Sequence, residues 1–73
     1  MTEAAETAPE PGLLDTVALL AAQPDAGLRR GEVGTVVEEL DSATLLVEFS
    51  DDEGRAYAIV PCRRSELSVP HTV

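Results

Sequence analysis

Few side chains in this sequence are equipped for bond-making chemistry. A nucleophilic pair would have to be built from Cys62 and His71. A reactive thiolate needs a base within hydrogen-bond reach, a third group to orient that base, and a pocket that excludes water. His71 lies in the tail from Pro70 to Val73, no histidine stands near Cys62 in sequence, and a domain this small has little room for such a pocket. Cys62 is therefore read as structural, His71 as part of a frayed end, and the chain as non-enzymatic. One cysteine and one histidine do not make a zinc site. The run Asp51-Asp52-Glu53-Gly54 lacks the alternating acids and distal glutamate of a calcium loop, and adjacent carboxylates diverge rather than converge. It reads as a solvated turn, and no cofactor or metal is expected.

Binding chemistry is better represented. The formal net charge is −9, and the five basic residues are all arginine. With Glu3, Glu6 and Glu10 set aside, acids still outnumber arginines about two to one, so the folded part is acidic on its own account. Such a field repels phosphate backbones and anionic membranes and attracts basic partners. Simple solubility is the plain alternative. A lone cysteine rules out an internal disulfide. No apolar run approaches the ~20 residues that span a bilayer, and the first residues are acidic where a signal peptide is basic. The expected location is cytoplasmic.

The elements that must position these charges are organised around Leu28–Leu40. Gly31 and Gly34, three apart, lead into the β-branched run Thr35-Val36-Val37. Glycines there provide a positive φ or a close backbone approach, and the β-branched run favours a pleated strand. The expectation is a glycine turn feeding a central strand over Gly34–Leu40. Residues 1–12, rich in Ala, Glu and Pro without apolar periodicity, read as a disordered leader. Leu13–Ala22 suits either a short helix capped by Asp15 or a strand with Val17, Leu19 and Ala21 on one face. Strand is preferred because the rest of the chain is β and needs a first partner. Gln23–Gly27 is a loop. Thr44–Ser50 alternates Leu45, Val47 and Phe49 onto one face. Asp51–Gly54 turns the chain, with Gly54 at the left-handed position. Arg55–Val60 returns with Tyr57 and Ile59 on one face, and Pro61, which cannot donate to a ladder, is expected to end it. Arg63–Glu66 fits one helical or 3₁₀ turn before a closing strand, Leu67–Val69. Pro70–Val73 is a tail.

Four to five short antiparallel strands, with one long first loop, two hairpins and a turn before the last strand, follow the order of a small SH3-like barrel over residues 13–69. In such a barrel the first loop and the turn before the last strand flank one groove. That would gather Arg29 and Arg30 with Arg63 and Arg64 into a local positive patch, unless each arginine pairs with a neighbouring acid such as Glu32 or Glu66. The acidic residues Glu38, Glu48, Asp51, Asp52 and Glu53 form the candidate contact for a basic protein.

Leu14–Leu20, Gly27–Glu38 with its Gly-x-x-Gly-Thr-Val-Val-Glu core, Val47-Glu48-Phe49 and Gly54–Ala58 together resemble the small bacterial family named domain of unknown function 4926. The resemblance covers residues 13–69. It implies an SH3-like or KOW-like barrel with no established activity, encoded as a small stand-alone protein, often beside another small gene. That arrangement implies toxin–antitoxin or immunity-type pairing. Pro61-Cys62-Arg63-Arg64 departs from the more apolar and acidic residues that the resemblance leads one to expect there. The expected function is therefore a protein-binding module that neutralises or stabilises a partner encoded nearby. The alternatives are an RNA-binding KOW-like barrel and a small accessory subunit of a larger enzyme. The glycine pattern and Arg29-Arg30 favour RNA. The absence of lysine, the net charge and the presence of only two aromatics, Phe49 and Tyr57, oppose it.

Overall fold

The computed structural model describes residues 11–69. They form five antiparallel strands: β1 Thr16–Leu19, β2 Val33–Glu39, β3 Thr44–Ser50, β4 Ala56–Arg63 and β5 Leu67–Ser68. Short 3₁₀ turns at Pro24–Ala26 and Arg64–Glu66 interrupt the first loop and precede β5. The strand order is β4-β3-β2-β1-β5. The all-β class and the strand assignment for the first apolar segment hold, and β2 is the central strand. The closed barrel does not form: β4 and β5 are the two ends of one sheet, with no ladder between them. With only two residues, β5 can pair with β1 but is too short to reach round and seal against β4.

All five strands contribute to one core face: Val17 and Leu19 from β1, Val36 from β2, Leu45, Val47 and Phe49 from β3, Cys62 from β4 and Leu67 from β5. Leu28 adds to it from the first loop. Among the described residues no second layer covers this face, so the single sheet buries these side chains by coiling around its own inner face. Each large apolar side chain fully removed from water contributes about 1.5–3 kcal/mol, which is how so small a domain offsets its ordering entropy.

The two expected glycine roles separate cleanly. Gly31 has φ 88°, as a turn residue should. Gly34 is needed for space: a Cβ there would stand 2.8 Å from the Glu48 carbonyl oxygen and 2.8 Å from Val47 Cγ1. Gly54, with φ 83°, closes the β3–β4 turn.

Pro61 does not end β4, which continues to Arg63. The reason lies in the ladder. Arg63 stands opposite Thr44, and the Arg64 amide donates to the Ala43 carbonyl at 2.8 Å. From there to Ala58 the register is unshifted, so Ala58, Val60 and Cys62 bond to β3, while Ile59, Pro61 and Arg63 turn their backbone groups away. Pro61 therefore lacks an N–H only where β3 does not need one, on an edge strand that tolerates it. In consequence Arg63 belongs to β4, and the 3₁₀ turn begins at Arg64.

At the other end of the chain, Pro11 is buried and its carbonyl accepts a hydrogen bond from the Arg64 guanidinium, so the fold starts before the expected end of the leader at residue 12. The first ten residues, and the tail with His71, lie outside the described residues.

Candidate protein-binding face

The face of the sheet opposite the core is built by alternation and by two bulges. On β3, Leu46 and Glu48 point outward between the buried Leu45, Val47 and Phe49. Register then places Thr35 and Ile59 on either side of Glu48, with Thr16 beyond Thr35. On β2, strict alternation from the buried Val36 would turn Glu38 into the core. A bulge at Val37 prevents this: Val36 pairs with Val47, but Glu38 pairs with the outward Leu46. A second bulge lets Tyr57 and Ala56 both face solvent, since Phe49 pairs with Ala58 but Ser50 with Ala56.

The result is a mixed apolar and acidic surface. Tyr57 and Ile59 are 52% and 54% exposed, Val33 is 52% exposed and Val37 37%. Glu38 and Glu48 lie among them, their Cα atoms about 8 Å apart from strand spacing and rise. That is near enough to present one negative field. Neither glutamate makes a side-chain hydrogen bond or ion pair among the described residues. Tyr57 closes one end of the surface. Its hydroxyl donates to Glu32 Oε2 at 2.5 Å, and the other oxygen of that carboxylate accepts from the Arg29 amide at 2.6 Å. These bonds hold the Glu32 carboxyl below its ordinary range, the Tyr57 bond being the larger cause. The same bond to Glu32 pushes the Tyr57 phenol up.

The remaining expected residues divide by what holds them. Asp51 is structural, because its Oδ1 accepts from the amides of Glu53 and Arg55, both at 2.9 Å, and so organises the β3–β4 turn. Glu53 pairs with Arg55 at 3.2 Å. Asp52 is exposed on the same turn. Among the arginines, Arg64 is committed to the fold: Nε donates to the Ser42 carbonyl at 3.0 Å and a second nitrogen to Pro11. Arg63 is exposed at the end of β4. The start of the first loop lies against that strand, since Gln23 Nε2 donates to Cys62 Sγ at 3.4 Å, and Arg29 and Arg30 are exposed further along the loop. Neither acid considered as an arginine partner takes that role: Glu32 is bonded to Tyr57 and to the Arg29 backbone, and Arg64 turns to carbonyls instead of Glu66. Cys62 is buried in the core, and its thiol is pushed up chiefly by that burial, away from nucleophilic character.

Tyr57, Glu32 and Val37 were not visible as members of one surface in the sequence. The pairing of Tyr57 with Ile59 on one face was the only available signal for the apolar part.

No curated protein and no solved structure matches the chain. A family model does, over residues 13–69, which is the whole sheet with the loops that link its strands. By that match the chain belongs to the family described as Domain of unknown function (DUF4926).

Proposed function

We propose that this chain is a cytoplasmic, non-enzymatic protein-binding module whose outer sheet face docks a basic protein. Its role is to neutralise or stabilise a partner encoded beside it, in the manner of an antitoxin or immunity protein. The observation that carries the reading is the set of exposed Val33, Val37, Tyr57 and Ile59 side chains on the same face as Glu38 and Glu48. Exposed apolar side chains interspersed with carboxylates suit recognition: the apolar part supplies burial, and the charge steers encounter and selects the partner's sign. An overall charge of −9 adds to that steering.

The test is association of the purified chain with the product of the neighbouring gene, followed by stopped flow across a salt series. Steering is screened beyond about 8 Å at physiological ionic strength, so the on-rate should fall as salt rises. Charge reversal of Glu38 and Glu48 together should slow association more than it speeds dissociation. An on-rate indifferent to both salt and the glutamates, or tight RNA binding at about 0.15 M salt where the acidic field opposes it, overturns the reading.

A further inference from the structure

We propose that the open edge of β4 receives one extended segment of a basic partner, which adds there as a sixth strand of the sheet. The inference rests on the protein-binding reading above and names how the partner engages. Among the described residues, β4 pairs with β3 alone. The alternation established by the Arg64–Ala43 bond turns the backbone N–H and C=O of Ile59, and the C=O of Pro61, towards the unpaired side. Pro61 has no donor to offer, so the receptive stretch centres on Ile59 and is bounded by the proline. A bounded edge of this kind discourages indiscriminate pairing while leaving one short docking register.

Side chains on both faces of β4 point to the same occupant. On the core side, Ala58 and Val60 pack against the buried cluster yet remain half-buried, because the sheet stops beside them. An added strand with apolar residues on that side completes their burial. On the outer side it would lie next to Tyr57 and Ile59, one strand beyond Glu48. That places Glu48 about 10 Å from the new backbone, within the span of a lysine or arginine side chain lying over Ile59. The fitting segment therefore alternates apolar and basic residues. A second copy of this chain fits worse: two bodies of net charge −9 would meet.

The intact chain, labelled for amide NMR, is titrated with a ten-residue peptide of alternating lysine and valine and with its glutamate–valine counterpart. The lysine peptide should saturate the protein and shift the amides of Tyr57 and Ile59 most, with the glutamate peptide weaker by at least about tenfold. Methylating the peptide's backbone nitrogens on one alternate set, lysines or valines, should abolish binding, and methylating the other set should be tolerated, because only alternate residues of a strand face its neighbour. Ile59→Pro removes the central edge donor without touching a β3 bond and should weaken binding by about tenfold or more. The methylated peptides decide the matter if that variant does not fold. Equal binding of both methylated peptides, equal binding of the glutamate peptide, no binding, shifts confined to β2 and β3, or dilution-dependent shifts of Tyr57 and Ile59 without peptide, which mark a second copy, each overturn the edge inference. Of these outcomes, only equal binding of the glutamate peptide also counts against the wider reading, which fails separately if the neighbouring gene product ignores Glu38 and Glu48.

Discussion

Gly34 sits where β2 lies tight against β3, and its lack of a side chain is a packing requirement. A Cβ would meet the backbone of Glu48, which cannot rotate away, and the Phe49 ring at 2.9 Å. Gly34→Ala should cost about 1–3 kcal/mol by overpacking and Gly34→Val more, read as a lower urea midpoint at unchanged slope. A midpoint equal to that of the parent chain would mean that β2 and β3 have room to separate. Tyr57 and Glu32 offer a second test at this scale, through pH. The folded Glu32 pKa is depressed, so its contribution is present above the unfolded value and is lost as pH falls through the folded one. The folded Tyr57 pKa is raised, so its contribution is present below the unfolded tyrosine value of about 10 and is lost as pH rises through the folded one. Phenolate absorbance should titrate above the ordinary tyrosine range and return towards it in Glu32→Gln. Tyr57→Phe should flatten both the acid and the alkaline limbs of the stability curve.

Among the elements, the segment before β1, the β2–β3 hairpin and the 3₁₀ turn before β5 meet at one side chain. Arg64 donates to the carbonyls of Pro11 and Ser42, and its amide bonds Ala43. Arg64→Met keeps the apolar stem and removes the donors. It should cost about 1–3 kcal/mol, since hydrogen bonds from charged groups exceed neutral ones. Hydrogen exchange should rise first at Gly12 and Ala43, the two ends that the guanidinium ties together. Uniform acceleration across the sheet would instead show that Arg64 supports the core as a whole. The bulges act at the same scale. They are single extra residues, at Val37 and near Tyr57, yet they decide which side chains of β2 and β4 reach the outer face.

For the whole molecule, excess negative charge opposes compaction. Among the described residues one ion pair forms, between Arg55 and Glu53, and both side chains are largely exposed, so little offsets that repulsion. Added sodium chloride should therefore raise the melting temperature between low and physiological ionic strength. Each kcal/mol of relieved repulsion corresponds to about 4–8 °C in a domain of this size. Sucrose, which excludes itself from protein surface without screening, serves as the control. A melting temperature that falls with salt would show that specific attractions outweigh the net charge.

Most of the strands were legible from local pattern. Leu45, Val47 and Phe49 alternate without interruption, and Gly54 stands where a turn needs a left-handed residue, because side-chain period and φ are properties of a few consecutive residues. The short strand at Thr16–Leu19 was legible only with the help of its surroundings, since Ala and Leu serve a helix equally well and its pairing partners settle the matter. What local pattern could not reveal depends on where neighbouring strands lie. Pro61 looks like a strand terminator until the ladder phase shows that its missing N–H faces an edge. Glu38 reaches the outer face through a bulge that nothing in Val36-Val37-Glu38 announces. The Tyr57–Glu32 bond joins residues far apart in sequence, and the open sheet in place of a closed barrel turns on β5 being too short to reach β4. Composition alone determined the acidity and the lack of an internal disulfide, and local alternation with its turn residues determined the all-β class. Register, an interaction between distant segments, decided which of those acidic and apolar residues share a surface.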